Sequence, residues 1–266
     1  MKCKTDKRMK FSNPWRHALA LNLALLTTAG WADSLKGVEF TEEFRDPTDC
    51  AALATDPLSG AQNPLFPLQV NMTWRLSNEA CVIEGECDEL EEVVITVLPD
   101  TEMVDGTLTR VIEEVERVDG SLTEISHNFF VECVGSEDVY YFGEDVDIYN
   151  EDGTITHEGA WRVGGDNRPG LIMPGGSFLI GARYYQEWAP EVALDRTEHL
   201  EMGLSFDNPA NGQFEECVLL YDTNAIEDPK GKNGDEKIYC PGIGLVKDED
   251  MELQMCTDGM GFDCAQ

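Results

Sequence analysis

Two histidines and one glutamate are the residues of this chain best suited to metal chemistry. His127 and His157 are two of its four histidines, and both lie in stretches rich in β-branched and aromatic residues, as does Glu144. Imidazole and carboxylate groups bind divalent transition metals, and a set of two histidines and one carboxylate leaves coordination positions open. If the three side chains meet, they predict a metal-binding protein or a metalloenzyme.

Two Asp-Gly pairs decide whether these side chains can meet. Asp119-Gly120 and Asp152-Gly153 each separate two runs of strand-forming residues, which is the strongest short-range signal of a β-hairpin. A two-residue turn fixes the register of its hairpin, and the register fixes which side chains share a face. With two-residue turns, His127, Glu144 and His157 are predicted to lie on the apolar face of neighbouring strands and to point into a concave interior.

The elements that position these residues are strands. Hairpin signals predict a four-strand meander at 107–117, 122–133, 138–150 and 154–163, and alternation of apolar and polar residues begins at Leu68. Helical periodicity is scarce along the whole chain. We therefore expect an all-β fold, an antiparallel meander that is curved into a half-barrel or barrel and stabilised by disulfides.

The predicted concave face also carries residues suited to a small hydrophobic or amphipathic ligand. They combine aromatic rings with one guanidinium group: Arg110, Phe129, Tyr140, Phe142 and Trp161. A hollow lined by aromatic rings can bury the apolar body of such a ligand. The charged residues have an alternative role, because Arg110 and Glu144 can also pair with each other and simply stabilise the sheet.

The N-terminal residues predict export from the cytoplasm. Residues 1–32 combine a basic start, a short apolar run and small residues before Asp33, which is typical of a signal peptide. An irregular segment at 33–67 and an antiparallel β domain at 68–266 are predicted to follow. No later run reaches the roughly 18 apolar residues of a membrane span, so no transmembrane segment is predicted. We expect a periplasmic or extracellular protein.

The cysteines are predicted to form disulfides. One of the nine, Cys3, lies in the predicted signal peptide, and the remaining even number is typical of an exported, disulfide-bonded protein. The chain lacks the CxxC pairs that a zinc cluster needs. The pairs that we expect, the last of them by elimination only, are Cys81–Cys87, Cys256–Cys264, Cys217–Cys240 and Cys50–Cys133.

The charge of the chain excludes one class of partner and suggests another. With 52 acidic and 19 basic residues, the formal net charge is −33. Such a field repels phosphate backbones, so nucleic acid is not an expected partner. An acidic exterior keeps a protein soluble. Alternatively, the acidic residues Asp145, Asp147, Glu151 and Asp152 can offer oxygen ligands to calcium, which implies a calcium-dependent surface or assembly protein.

Motifs of known catalytic machinery are missing from the sequence. It contains no G-x-S-x-G and no H-E-x-x-H, and the glycine-rich stretch 164–176 lacks the G-K-[ST] of a phosphate-binding loop. Ligand binding is therefore favoured over catalysis. We expect an exported, non-enzymatic binding protein that holds a hydrophobic or amphipathic small ligand against its concave face, with the metal site and the calcium surface as alternatives.

The C-terminal part of the chain carries a pattern seen elsewhere. Residues 237–246 read Lys-Ile-Tyr-Cys-Pro-Gly-Ile-Gly-Leu-Val and fit K-x-Y-x-x-G-[IV]-G-[LM]-V. The chain thereby resembles a broad group of uncharacterised bacterial secreted proteins in which this pattern ends a strongly bent sheet, and residues 138–162 resemble the group's central hairpin. The resemblance implies a half-barrel related in shape to periplasmic lipoprotein carriers, which hold an acyl chain on the concave face. It implies no particular reaction.

Overall fold

The computed structural model describes residues 40–41, 63–133 and 135–264, which form one antiparallel sheet with a single short helix. The predicted all-β fold is confirmed. The elements are β1 (Thr73–Ser77), α1 (Glu79–Glu84), β2 (Glu91–Val104), β3 (Thr107–Val118), β4 (Ser121–Glu132), β5 (Val139–Tyr149), β6 (Ile155–Thr156), β7 (Trp161–Arg162), β8 (Gly170–Met173), β9 (Arg183–Tyr185), β10 (Asp195–Asn208), β11 (Gly212–Asn224), β12 (Asp235–Cys240), β13 (Gly244–Asp248) and β14 (Met251–Thr257).

The strand order brings the two ends of the sheet together. The order is β6-β5-β4-β3-β2-β1-β14-β13-β12-β11-β10-β9, and β7 and β8 also pair with β5. Gly170 of β8 lies so close to the residue after β9 that an added Cβ atom would stand 1.9 Å from the backbone oxygen of Gln186. A sheet whose first and last parts approach in this way must be strongly curved. We call its enclosed side the inner face and its other side the outer face.

The inner face carries the main hydrophobic core. Trp74, Ile95, Phe130, Leu220 and Leu253, from five different strands, belong to one cluster of buried side chains. Fully burying a large apolar side chain contributes about 1.5–3 kcal/mol, so this shared core stabilises the curvature of the sheet.

Residues 63–67, which precede β1, also lie against the inner face. Asn63 is 1% exposed, and its backbone N–H donates a hydrogen bond to Oε1 of Glu132 at 2.9 Å. The ring of Phe66 packs on Phe130, with 5.1 Å between the ring centroids. Residues of the chain itself therefore fill part of the hollow that the sequence suggested for a ligand.

A β-bulge changes the predicted register between β3 and β4. Next to the turn the pairing is as expected, with Val118 opposite Ser121. A shift between Glu116 and Arg117 then moves every later pair by one residue, so that His127 lies opposite Glu113. Bulges insert one residue into a strand, and hairpin signals do not reveal them. The predicted pairing of Ile112 with His127 is therefore wrong.

A second, smaller hydrophobic cluster explains why the sequence analysis assigned the outer side of β4 to the interior. Val111, Phe129 and Val131 alternate with the inner residues of β3 and β4 and therefore lie on the outer face, where they pack with Tyr140 and Phe142. We call these five residues the outer cluster. The apolar side of β4 was taken to be the concave side, whereas the inner side of this strand carries more polar residues.

Three of the four expected disulfides are confirmed. Cys81–Cys87, Cys217–Cys240 and Cys256–Cys264 are bonded. The fourth expected pair contains Cys50, which lies outside the described residues, as do the predicted signal peptide and most of the segment 33–67.

The disulfide between β11 and β12 closes the longest of these three loops. Cys217 and Cys240 are separated by 23 residues, whereas Cys81 and Cys87 are separated by 6. Because a disulfide stabilises by restricting the unfolded chain, replacing both Cys217 and Cys240 by alanine is expected to cost about 3 kcal/mol, against about 2 kcal/mol for Cys81 and Cys87. Urea unfolding of the two double variants measures both losses. An equal or larger loss for the shorter loop contradicts this account.

Candidate functional site

Four glutamates share the inner face of three neighbouring strands. Glu114 and Glu116 lie on β3, Glu124 on β4 and Glu144 on β5. Glu116 is directly opposite Glu124 in the pairing of β3 with β4, and Glu114 is opposite Ser126, two pairs further along and on the same face. Directly opposed side chains in a sheet have Cβ atoms about 4.5–5.5 Å apart, and diagonal neighbours are about 7–8 Å apart. We call these four residues the glutamate cluster.

Three members of the cluster are buried, and the fourth, Glu116, is half-buried. Glu114, Glu124 and Glu144 are 3%, 1% and 1% exposed, and Oε1 of Glu116 is a buried atom without a hydrogen-bond partner among the described residues. Burial in this low-dielectric surrounding raises the pKa of Glu116 well above the usual glutamate value, and the charges of Glu124, Glu114 and Glu144 raise it further. The charged groups that act most strongly on Glu116 are thus all carboxylates.

A partly open apolar cleft lies beside the glutamate cluster. It has a cavity volume of about 30 Å³, and about 380 Å³ of empty space when its mouth is counted. Its lining is apolar except for Glu114: Leu65, Phe66, Pro67, Trp74, Ile95, Ile112, Glu114, Tyr239, Gly244 and Leu245. Trp74, Ile95 and Glu114 are successive partners across β1, β2 and β3, so one row of the sheet leads from the cleft to the cluster.

The C-terminal strand pattern supplies one wall of this cleft. Gly244 has φ +90°, and a Cβ atom there would stand 3.0 Å from Pro67 and 3.6 Å from the indole of Trp74. The indole Nε1 of Trp74 donates a hydrogen bond to the carbonyl oxygen of Ile243 at 2.6 Å. A glycine at this position therefore lets the segment before β1 and the Trp74 ring approach the start of β13.

The lysine of the same pattern forms a buried ion-pair group. Lys237 is 2% exposed, and its Nζ lies 3.0 Å from Oδ2 of Asp248 and 4.0 Å from Oδ2 of Asp222. Burial raises the pKa of Asp222 to about 6, although the charge of Lys237 lowers it. Burial also raises the pKa of Asp235 to about 6, and burial together with the charge of Asp235 raises the pKa of Glu249, which shares a hydrogen bond with it, to about 9.

These raised carboxyl pKa values imply that the folded protein is less stable at high pH. A carboxyl group with a raised pKa keeps its proton in the folded state where the unfolded chain has lost it. The resulting stability is complete below the ordinary carboxyl pKa of about 4 and is lost as the pH rises through the folded pKa. We expect the melting temperature to fall by about 5 °C between pH 5 and pH 8.5, given about 2–4 °C per kcal/mol for a chain of this size.

Thermal unfolding of two glutamine variants tests which group is responsible. Glu249→Gln removes one of the two hydrogen-bonded carboxyl groups with raised pKa values and is expected to weaken the dependence of the melting temperature on pH. Glu201→Gln, at an exposed position of β10, is expected to leave that dependence unchanged. A melting temperature that rises from pH 5 to pH 8.5 contradicts the assignment.

The predicted metal residues lie on different faces of the sheet. His127 points outward beside Glu113, with Nε2 3.2 Å from Oε2. His157 is largely exposed, and its Nδ1 lies 2.9 Å from Oδ1 of Asp147. Glu144 is buried on the inner face, directly opposite Asn128. The expectation that His127, His157 and Glu144 point into one interior is therefore wrong, because the apolar side of β4, which carries His127 with Phe129 and Val131, is the outer face.

The acidic residues suggested for calcium are also dispersed. Asp145 forms an ion pair with Arg162, Asp147 lies beside His157, and Asp152 accepts a hydrogen bond from the backbone N–H of Thr154 at 2.9 Å. Within the described part of the chain, the one group of three His, Cys, Asp or Glu side chains with ligand atoms close enough for a metal is Cys81, Cys87 and Asp250. Cys81 and Cys87 are bonded to each other in a disulfide, so their sulfur atoms are not available as thiolate ligands.

The predicted ligand-binding residues are divided between the two faces. Phe129, Tyr140 and Phe142 belong to the outer cluster, whereas Trp161 is buried in the main core opposite Glu144. Arg110 lies opposite the inner residue Phe130. Its Nη1 donates hydrogen bonds to backbone carbonyl oxygens of the bulge at 98–100, the shortest being 2.9 Å to Pro99. The predicted common hollow for these five residues is therefore wrong.

The residues of the cleft and the cluster were missed by the sequence analysis, although a signal was present. Glu114, Glu116 and Glu124 occupy every second position of their strands and thus break the expectation that the inner side is apolar.

His199 was also missed. It is stacked on Phe178 at 3.8 Å, and its Nδ1–H donates to the Leu179 carbonyl, so its Nε2 accepts from the Tyr184 hydroxyl. Burial lowers the pKa of His199 to about 4 and keeps it neutral.

Fold and site together define a class: a curved antiparallel sheet with a partly open cleft and buried carboxylates on its inner face. No protein-family model and no curated protein sequence matches the chain. Among solved structures, a protein from Parabacteroides distasonis described as a "putative lipoprotein" is 12% identical, with a TM-score of 0.27, over 73% of this chain and 99% of that one. At this level of similarity, the comparison supports no statement on fold or function.

The described residues contain no helix long and apolar enough to cross a membrane.

Proposed function

We propose that the protein is an exported, non-enzymatic binding protein that holds a small amphipathic molecule in the cleft. The observation that carries this proposal is the composition of the cleft, which has apolar walls from three parts of the chain and one buried carboxylate, Glu114. Ligand sites in proteins are concave and mostly apolar, with a few polar groups that orient the ligand. The enclosed volume of about 30 Å³ admits only a small group, so the apolar part of the ligand is expected to be short and to lie partly in the mouth of the cleft.

Export is part of the proposal and is supported by the cysteines. Three disulfides form among the described residues, and disulfides persist mainly in oxidising compartments outside the cytoplasm. The signal peptide predicted at 1–32 agrees with this location.

Isothermal titration calorimetry with octanol tests the binding of an amphipathic molecule. Octanol has an apolar chain of suitable length and a neutral head group, so its binding depends on the cleft and not on charge. We expect saturable binding of one molecule, and Leu245→Trp is expected to reduce the affinity at least tenfold because the larger ring fills the mouth of the cleft.

A matched variant controls for general effects of the added ring. Leu122 is a half-buried leucine on β4, outside the lining of the cleft, so Leu122→Trp is expected to bind octanol like the parent protein. Unsaturable binding, or an equal loss of affinity in both variants, overturns the proposal.

A further inference from the structure

We infer that a strip of aromatic rings beside β9 is a second binding site, which takes a small aromatic carboxylate. The rings are those of Phe40, Tyr185 and Trp188, and we call them the aromatic strip. None of them lines the cleft, so this inference goes beyond the proposed function and does not depend on it.

The three rings are packed together at the end of the sheet. Tyr185 is the last residue of β9, which is the terminal strand. Its ring packs edge-on against Trp188, with 4.8 Å between the ring centroids, and against Phe40, with 6.0 Å. All three side chains are half-buried, so each is packed on one side and reaches solvent on another. The strip therefore offers partly exposed aromatic surface to a ligand.

Arginines lie over the rings at both ends of the strip. The guanidinium carbon of Arg168 is 4.2 Å from the centroid of the Trp188 ring. Those of Arg183 and Arg196 are 5.5 Å and 4.6 Å from the centroid of the Phe40 ring. Cations are attracted to the electron-rich faces of aromatic rings. Three positive charges are thus gathered at one place in a chain whose formal net charge is −33.

Two of these guanidinium groups are engaged within the fold. Nη2 of Arg183 lies 2.7 Å from Oε2 of Glu198, and Nε of Arg196 donates a hydrogen bond to Oγ1 of Thr223 at 3.0 Å. These two arginines therefore hold the ring of Phe40 and contribute to the local positive charge, but their contacts are made within the chain.

Arg168 is the arginine of the strip that is best placed to bind an anion. Its side chain is exposed, and its guanidinium group has no hydrogen-bond or ion-pair partner in the part of the chain that the structure describes. By contrast, Arg75 and Arg162 are paired with carboxylates at 2.7 Å and 2.9 Å. A guanidinium group has five N–H donors in a planar arrangement, and at Arg168 they are available to a ligand.

The backbone fixes Arg168 beside the ring of Trp188. The backbone N–H of Arg168 donates a hydrogen bond to the carbonyl oxygen of Trp188 at 2.9 Å. The preceding residue, Asn167, donates from Nδ2 to the carbonyl oxygen of Arg162 at 3.0 Å, and the following Pro169 restricts the chain. A group that is already positioned loses less entropy when a ligand binds, which favours affinity.

These contacts favour a ligand with one carboxylate and one aromatic ring. A guanidinium group binds a carboxylate through two parallel hydrogen bonds. A ring attached to that carboxylate can extend from Arg168 toward Tyr185 and pack edge-on or offset, the arrangements that aromatic rings prefer. A polyanion is disfavoured, because the net negative charge of the protein repels each additional negative charge.

An NMR titration with three probes tests the inference. Benzoate has both the ring and the carboxylate, acetate lacks the ring, and benzyl alcohol lacks the charge. The indole N–H signals of Trp188 in the strip and Trp74 in the cleft report on the two sites separately. At pH 7.5 and constant ionic strength, we expect benzoate to shift the Trp188 signal saturably and to bind there at least fivefold more tightly than acetate or benzyl alcohol.

The two indole signals also distinguish failure of this inference from failure of the proposed function. A Trp188 signal that does not respond to benzoate, or that reports equal affinities for all three probes, overturns the inference and leaves the cleft untouched. A failure of octanol to bind in the cleft overturns the proposed function and leaves the aromatic strip untouched.

Arginine variants test the role of the guanidinium group. Arg168→Gln is expected to abolish the preference for benzoate over benzyl alcohol. Arg168→Lys keeps the positive charge but not the planar pair of donors, and is expected to weaken the binding of benzoate. Arg117→Gln removes the same charge from a half-buried position of β3, outside the strip, and is expected to bind benzoate like the parent protein. An unchanged preference in Arg168→Gln, or an equal loss in Arg117→Gln, overturns the inference.

Discussion

Replacing Lys237 by methionine is expected to lower the free energy of unfolding by about 3–5 kcal/mol. The ammonium group lies 3.0 Å from Asp248 and near Asp222, and all three side chains are buried. Methionine keeps most of the volume but removes the charge, so two carboxylates remain buried without their cation. Removing one partner of a buried ion pair is strongly destabilising for this reason. Urea unfolding at pH 7.5 measures the loss.

Two further variants separate charge from packing at this position. Lys247 lies on β13 opposite Ile238, away from the buried group, so Lys247→Met is expected to change stability by less than about 1 kcal/mol. Adding Asp248→Asn to Lys237→Met is expected to recover part of the loss, because an amide is cheaper to bury than a carboxylate. A double variant that is less stable than Lys237→Met alone contradicts the ion-pair account.

Replacing Gly143 by alanine is expected to cost about 3 kcal/mol or more. Gly143 has φ +113°, and an added Cβ atom would stand 2.3 Å from the backbone oxygen of Trp161 and 2.7 Å from Cα of Arg162. The neighbouring backbone must therefore move, and a strained dihedral is added to the overpacking.

A glycine in open space isolates the energetic cost of the left-handed backbone conformation from the cost of a steric clash. Gly120, in the turn between β3 and β4, has φ +77° and nothing within 4 Å of an added Cβ atom. Gly120→Ala is thus expected to cost only about 1–2 kcal/mol, the penalty of a left-handed conformation. Equal losses at the two glycines indicate that the close approach to Trp161 contributes nothing.

The fold was largely predictable because its signals are local. Asp119-Gly120 formed the predicted turn, and β5 at Val139–Tyr149 lies within the strand predicted at 138–150. Two short disulfides, such as Cys81–Cys87, were expected from spacing alone. Turn chemistry and the period of a strand depend on residues that are close in sequence, and such information is present in a single chain.

The site was not predictable, because it depends on a bulge and on the choice of a face. One extra residue on β4, between Leu122 and Glu124, shifts the pairing of β4 with β3, and no residue type indicates it. Strands with apolar residues on both sides then offer two candidate inner faces. Phe129 on the outer face and Phe130 on the inner face are both about 98–99% buried, so hydrophobicity does not distinguish them.

The strand pattern at 237–246 was singled out from the sequence, and its residues lie around the cleft and the core. Tyr239 and Gly244 line the cleft, and Lys237 holds the buried ion-pair group. Its assignment to a group of secreted proteins remains a prediction. Its position nevertheless gives a physical reason for a lysine, a tyrosine and a glycine at this spacing. The side chains of Lys237 and Tyr239 face inward, and Gly244 permits the close approach of Trp74.

The central claim is that an amphipathic molecule binds on the inner face. A crystal structure of the protein with octanol that carries a bromine atom at the end of its chain tests this most directly, because anomalous scattering locates the bromine. We expect the peak in the cleft between Trp74 and Leu245, with the hydroxyl group toward Glu114. A peak against Phe129 and Phe142 of the outer cluster, or no peak at saturating ligand, contradicts the account.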